Sequence, residues 1–400
     1  MHAPAPVEES SLLRSIPAAR VALIERIARA GSATGTRQDL RQRFLRAYFH
    51  GVAEEDLAER DPRQLAKAAL AHLAFGARRA PRRSLVRVFN PEARTDGFES
   101  AHTLVLTVTE DMPFLVDSLS MAFARAALAV HLIVHPVLQV RRDRRGQLVD
   151  IGANGANAIH PESWQLYEID RVTDPGRLAQ LQQDLAATLA DVRSAVVDWR
   201  AMRERVREII TRLEADPPPL PPSDVSEAAH LLDWMEGGHF VFLGYRRYRL
   251  QRGRSEDRLL ADAHSGLGIL NPARRPGQRP AATLLHGDVR ARAREPELLI
   301  LTKANSTATV HRGEFLDYVG VKTFDARGQV DGEHRFIGLW TSTAYQGSPR
   351  DIPVLRRKVE RVIQHFGLDP ASHDGKEVLA VLETYPRDEL FQARVSDLIR

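Results

Sequence analysis

The sequence contains no cysteine among its 400 residues, which excludes disulfide bonds, thiolate catalysis and cysteine-ligated metal sites. No apolar run is long enough to span a membrane. The first residues, MHAPAPVEESSLL, lack the basic start and apolar core of a secretory signal. These absences favour a soluble cytoplasmic protein.

Lysine and aromatic residues are scarce. Only five of the 56 basic residues are lysines, aromatic residues make up 6%, and the net charge is +4. Nucleic-acid binders concentrate basic residues on one face, often beside aromatics that stack on bases. Here the arginines are spread along the chain among acids, so we expect neither a nucleic-acid partner nor a membrane partner.

The length and composition predict several domains, because 400 residues exceed what one core usually organises. The run DPPPLPP cannot continue a helix and marks a stiff linker. At the other end, ELFQARVSDLIR runs to the last residue without a stop signal, as expected of a fragment cut before its next module. We predict five segments: 1–83 helical, 84–215 an αβ domain with a long C-terminal helix, 216–223 the linker, 224–345 a second α+β domain, and 346–400 helical.

The first αβ domain shows the order β-α-β-β-β-α. Its pattern predicts a helix from Pro113 and a strand over Val130–Arg141, followed by a turn and a return strand. This order is close to a ferredoxin-like split βαβ sheet, so the predicted fold class is α+β, built of ferredoxin-like αβ sandwiches with flanking helical segments.

The second half restarts with Asp224 and Glu227, which we interpret as a helix-capping pair. Strands are predicted over 240–250, 298–303 and 309–312, and then as a hairpin over 314–341. Ser348-Pro349-Arg350-Asp351 is typical of a capping box that begins a helix ending at Gly367.

Two acids flank the turn after the strand at 102–109. Asp111 and Asp117 can simply stabilise the free N–H groups and the dipole of the following helix. Alternatively, the turn grips the carboxylate or amine of an amino acid. Catalysis by paired carboxylates would need a pocket.

For two further sets of polar residues, a functional role has to be weighed against a purely structural one. His131 and His135 point to one face of a strand and can ligate a metal, but no third ligand has useful spacing, so we expect structural histidines and no metal. After a buried strand, Lys303, Asn305, Ser306 and Arg312 form either an anion or carboxylate site or a hydrogen-bonded loop.

The chain has no recognisable catalytic or cofactor motif. Gly266-Leu267-Gly268-Ile269-Leu270-Asn271 has the first two glycines of a dinucleotide fingerprint but asparagine at the third position. P-loop, nucleophile-elbow and HExxH patterns do not occur. We therefore expect no catalytic and no cofactor-binding residue here.

Several blocks, in consistent order from about residue 85 to residue 400, resemble one family. EDMPFLVDS, VHLIVHPVLQVRRD, LLDWMEGGHFVFLGYR, LILTKANSTATVHR and SPRDIPVLRRKVERV are similar to the N-terminal part of the large bacterial NAD-specific glutamate dehydrogenases. The resemblance implies a cytoplasmic homo-oligomer that deaminates L-glutamate with NAD. It also implies ACT-like regulatory modules here and a catalytic domain beyond residue 400.

By analogy with ACT-type modules, which bind amino acids near the turn after their first strand, Asp111, Met112, Pro113 and Asp117 are the effector-site candidates. Regulation and assembly form the leading hypothesis. The alternatives are a stand-alone amino-acid sensor, a ligand-free oligomerisation scaffold, and an independent enzyme with an unrecognised site.

Overall fold

The computed structural model describes residues 18–31, 38–152, 160–272 and 282–400. It is a mixed α+β structure with two antiparallel sheets, and the chain divides into two compact units, Met1–Ala190 and Asp191–Arg400. The division lies inside one long helix. The predicted segment boundaries stay predictions, and the parts of the predicted helical segment 1–83 that fall on residues 1–17 and 32–37 lie outside the described residues.

The first unit combines helices and six strands. The helices are α1 (Ala18–Ala30), α2 (Gln38–Phe49), α3 (Glu54–Ala58), α4 (Pro62–Phe75), α5 (Leu115–Arg125) and the start of α6 (Pro175–Ala215). The strands are β1 (Leu85–Phe89), β2 (Thr103–Glu110), β3 (Val130–Val134), β4 (Val137–Arg142), β5 (Leu148–Ile151) and β6 (His160–Ile169).

The first sheet has the order β1-β2-β6-β4-β5, with β3 also paired to β6. Because β6 lies between β2 and β3, the β2-α5-β3 unit is split, as in a ferredoxin-like sheet. The outer edge beside β2 is occupied by β1, which precedes the split unit in the chain.

Both faces of this sheet are covered. Leu106 and Trp164 share a hydrophobic core with residues of α1, α2 and α4, while Phe123 of α5 packs on Tyr167, with ring centroids 5.0 Å apart. Successive strand residues point to opposite faces, so seven of the eight β2 residues are buried.

Two expectations for this unit are corrected. The predicted strand 130–141 is two strands that both pair with β6, because Pro136 has no N–H to donate to a ladder. The helix predicted from Pro113 begins at Leu115, since Phe114 adopts a left-handed conformation with φ 71°.

The second unit is organised around a longer antiparallel sheet. Its strands are β7 (Phe240–Gln251), β8 (Asp257–Ala261), β9 (Leu267–Gly268), β10 (Thr283–Leu285), β11 (Leu299–Thr307), β12 (Phe315–Phe324) and β13 (Val330–Trp340). The strand order is β10-β8-β7-β13-β12-β11, and β9 pairs with β7.

The remaining helices belong to this unit. They are α7 (Pro222–Trp234) with a following π-helical turn (Met235–His239), α8 (Gly287–Arg294), α9 (Ser342–Gln346), α10 (Leu355–His365), α11 (His373–Thr384), α12 (Arg387–Gln392) and α13 (Val395–Leu398). One sheet face packs on α7 and the end of α6, and the opposite face carries a smaller cluster that includes Ala293 of α8.

Two predicted helix starts are wrong, and one residue explains both. Glu227 does not cap α7, because its carboxylate accepts hydrogen bonds from Val354 N at 2.8 Å and from Arg356 Nε at 3.0 Å. Val354, with φ 70°, is the N-cap of α10, which begins at Leu355 and not at the predicted capping box. Asp224 instead pairs with Arg357 at 2.6 Å.

Two other expectations in this unit also fail. Residues 309–312 form a bend with His311 at φ 74°, because they lie in the loop that joins β11 to β12 and that Ala308 N closes by donating to Glu314 O at 2.8 Å. The amphipathic run at 389–400 is divided between α12 and α13 by an extended backbone at Ala393 and Arg394.

Candidate functional site

The turn between β2 and α5 forms a cavity of about 160 Å³. Its lining includes the predicted Asp111, Met112 and Asp117, and adds His135 and Gln165. The volume lies below the range of about 300–1,000 Å³ that is typical of drug-sized ligands, so the cavity suits only a small molecule.

Local chain geometry opens this cavity. Asp111 N donates to Pro161 O at 3.0 Å, which holds the end of β2 against β6. Pro113 lies in the turn, and Phe114 then takes its left-handed conformation. Such backbone strain is concentrated at functional sites.

The cavity is electrostatically suited to a cation. Burial raises the pKa of Asp111, although a hydrogen bond from the Met112 backbone opposes the rise. Asp117 lies in the first turn of α5, where the helix dipole favours a carboxylate. Two carboxylates at one turn can hold the ammonium group of a small amino acid.

A polar row on β6 contributes the part of this site that sequence reasoning missed. Tyr167 Oη donates to Gln165 Oε1 at 2.8 Å, and Gln165 Nε2 donates to Ser163 Oγ at 2.9 Å. The three residues are two apart and therefore share one face of the strand. That spacing is the signal in SWQLY, residues 163–167, that could have located them.

The second predicted cluster has its charges paired within the chain. Lys303 Nζ lies 2.7 Å from Asp317 Oδ1 and 3.1 Å from Asp388 Oδ1. Burial would lower the pKa of Lys303, but the hydrogen bond and charge of Asp317 raise it. The predicted anion-binding role therefore has to compete with two internal carboxylates.

The other members of that cluster are placed differently. Arg312 Nε lies 2.8 Å from Glu314, and its Nη2 donates to Trp340 O at 2.6 Å. Asn305, together with Lys303, lines a larger cavity of about 990 Å³, and Ser306 lies in the exposed end of β11. The structure does not gather the four residues around one ligand position.

The two predicted strand histidines lie in different surroundings. His131 Nε2 is 2.8 Å from Asp170 Oδ1, and its ring stacks on His102 with centroids 4.2 Å apart. His135 lines the β2–α5 cavity. Across the described ranges, the structure brings no three histidine, aspartate or glutamate residues into a metal-binding group.

Among the residues that the structure describes, none of the helices combines the length and apolar character that crossing a bilayer requires.

Comparison with known protein families and curated relatives places these elements in context. Residues 44–185 match the family "Glutamate dehydrogenase, ACT1 domain", and residues 352–400 match "Glutamate dehydrogenase, helical motif 1". The first match contains β2, α5 and the cavity between them.

Two curated proteins of similar sequence are each named NAD-specific glutamate dehydrogenase. The protein from Halomonas elongata is 35% identical over 359 residues, which cover 89% of this chain and 22% of that protein. The protein from Pseudomonas aeruginosa is 34% identical over 357 residues, with the same two shares.

A third protein of that name, from Mycobacterium tuberculosis, is 29% identical over 335 residues, 82% of this chain and 19% of its own length. The chain thus spans about a fifth of the length of the curated relatives it matches. It is homologous to the N-terminal portion of large NAD-specific glutamate dehydrogenases.

Proposed function

We propose that this chain is the regulatory and assembly region of an NAD-dependent glutamate dehydrogenase, an enzyme that oxidatively deaminates L-glutamate to 2-oxoglutarate and ammonia. The observation that carries the proposal is the ACT1 match over residues 44–185, which contains the split sheet and the polar cavity. On this proposal NAD and glutamate bind to a catalytic domain outside these 400 residues, and the chain itself binds no cofactor. The enzyme acts in the cytoplasm.

The proposed ligand of the β2–α5 cavity is a small free amino acid. Asp111 and Asp117, which both line the cavity, offer negative charge for the amine of the amino acid. In this role the sheet is a ferredoxin-like, ACT-like sensor, whose occupancy changes the activity of the attached catalytic domain.

A calorimetric titration of the purified 400-residue chain with a panel of L-amino acids tests this role. We expect one or a few amino acids to bind, and Asp111→Asn with Asp117→Asn to weaken binding by about tenfold or more, equivalent to about 1.4 kcal/mol. Asp184→Asn is the matched control, because Asp184 is exposed on α6 and outside the cavity. Absence of binding by any amino acid would contradict the sensing role.

A second candidate function is a ligand-free oligomerisation scaffold. The exposed Val137 on β4 and Val149 on β5 favour it, because they leave apolar surface near one edge of the first sheet. Sedimentation of the double Asn variant separates the two functions: lost amino-acid binding with unchanged assembly supports sensing, whereas lost assembly supports the scaffold.

A further inference from the structure

The second unit contains a cavity of about 990 Å³ that is separate from the β2–α5 site. Its walls come from β11, β12 and β13, from α8, and from residues of α10 and the α12–α13 segment. This volume lies at the upper end of the range for small-molecule sites, about 300–1,000 Å³. It is therefore large enough for an organic ligand bigger than a single small amino acid.

Ionisable side chains line the sheet face that bounds this cavity. Lys322 is 4% exposed and Glu333 is 5% exposed, and Arg335 lies beside them. Taking such groups out of water is costly unless they are paired, so the partners of each group decide its role.

Lys322 has a structural explanation. Its Nζ donates to Arg292 O at 2.7 Å and to Glu295 O at 2.8 Å. These carbonyls belong to the last turn and the C-cap of α8, where a cation satisfies groups that have no partner within the helix. Lys322 thus holds α8 over the sheet.

Arg335 is held in place at the cavity wall by neighbouring side chains. Its Nε and Nη2 donate to Glu333 Oε1 at 2.8 and 2.6 Å. The guanidinium carbon lies 3.9 Å from the Tyr248 ring centroid and 4.7 Å from that of Tyr318. Arg335 lines the cavity, and a planar guanidinium matches the paired oxygens of a carboxylate or phosphate group.

The cavity wall has more basic than acidic residues and carries one apolar cluster. Its lining contains eight lysine and arginine residues against five aspartate and glutamate residues. Leu259 and Leu285 form a small apolar cluster with Tyr248, against which Leu250 and Ala293 pack, and four of these five residues line the cavity. An acid group at Arg335 would therefore have an apolar wall within reach of the rest of the molecule.

We propose that this cavity binds a small organic anion with an apolar body, with its acid group on Arg335 and its body against the cluster of Leu250, Leu259, Leu285 and Ala293. Carboxylates and phosphate esters share this chemistry. Neither the family matches nor the proposed amino-acid site assigns a ligand to this cavity.

Fluorescence titration of the intact 400-residue chain with anilinonaphthalene sulfonate, an aromatic sulfonate, tests the proposal. We expect saturable, blue-shifted emission and displacement of the probe by octanoate. Arg335→Gln should raise the dissociation constant about tenfold, and Arg335→Lys, which keeps the charge but loses the planar fork, should raise it less. Arg249→Gln is the matched control, because Arg249 is exposed and does not line the cavity.

A second variant covers the case in which Arg335→Gln does not fold. Thr283→Trp places a large side chain at an exposed lining position on the edge strand β10 and should weaken probe binding to a similar extent, while the circular dichroism spectrum stays unchanged. Unchanged probe affinity in the folded Thr283→Trp variant would overturn the proposal. Displacement by inorganic phosphate but not by octanoate would also overturn it, because the site would then recognise charge alone.

Discussion

At the scale of single residues, Glu162 is the most heavily bonded acid of the first sheet. Its side chain is 1% exposed and accepts from Arg142 Nε at 2.6 Å, from Arg79 Nη2 at 2.8 Å, and from Trp164 Nε1 at 3.1 Å. Burial would raise the pKa of Glu162, but the hydrogen bonds and charges of Arg142 and Arg79 hold it below its ordinary value. The carboxylate is therefore ionised in the folded chain.

Replacing Glu162 by Gln should destabilise the first unit by about 3–5 kcal/mol at neutral pH, because the variant removes the buried carboxylate that pairs with both Arg142 and Arg79. Denaturant unfolding followed by tryptophan fluorescence measures the change. Glu99→Gln is the control, since Glu99 is exposed, and should change the free energy of unfolding by less than about 0.5 kcal/mol.

The same group predicts the sign of a pH effect. Because the folded pKa lies below the unfolded value, the stabilisation is fully present above an unfolded pKa of 4.5 and is lost as the pH falls through the folded pKa. The difference in the free energy of unfolding between the unsubstituted chain and the Glu162→Gln variant should therefore become smaller as the pH falls below that unfolded pKa. A gap that stays constant down to pH 3 would contradict this assignment.

At the scale of elements, Gly268 allows β9 to lie close against β7. Gly268 has φ 59°, and a Cβ atom there would lie 2.1 Å from Leu243 O. The next residue, Ile269, donates its N–H to that same oxygen at 2.9 Å. The glycine pattern that resembles part of a dinucleotide fingerprint thus provides a close contact between β9 and β7.

Gly268→Ala should destabilise the second unit by more than about 1 kcal/mol, because both the positive φ and the contact with Leu243 O disfavour a side chain. Gly51→Ala is the control, since a Cβ there meets nothing within 4 Å. Thermal unfolding of the two variants measures the difference. Equal midpoints would show that β9 does not hold the close contact described.

Element existence was more predictable than element ends. The helix α4 begins at Pro62 with a purely local cap, since Asp61 accepts from Arg63 N at 3.0 Å, and such a start can be recognised from neighbouring residues alone. The starts of α7 and α10 were mispredicted because the deciding contact, from Glu227 to Val354, joins residues far apart in the chain. Capping rules consider only neighbouring residues.

At the scale of the whole molecule, the proposal that the catalytic domain lies outside this chain predicts that the purified chain does not reduce NAD with L-glutamate. The physical reason is that the sequence lacks a glycine fingerprint for the pyrophosphate of a dinucleotide. Absorbance of NADH in the presence of chain, NAD and glutamate measures this, with a complete glutamate dehydrogenase as the positive control. Turnover by the chain alone would assign the catalytic site to these 400 residues.

The candidate site was predictable only in part. Asp111, Met112 and Asp117 were identified from a turn between a strand and a helix, and the structure places all three around one cavity. Ser163 and Gln165 were missed because β6 reaches the turn only after the sheet has formed. The pairing of Lys303 with Asp317 and Asp388 was also missed, because these residues lie in different elements that meet only in the folded chain.

The sequence by itself determined the absence of cysteine chemistry, the α+β class and the order of the split βαβ unit, because composition and hydrophobic period are properties of neighbouring residues. Only the tertiary structure decided which charges are paired, where α7 and α10 begin, and which side chains share a cavity. Ion pairs and cavities depend on distances in space between segments remote in the chain, and the period of a segment carries no information on those distances.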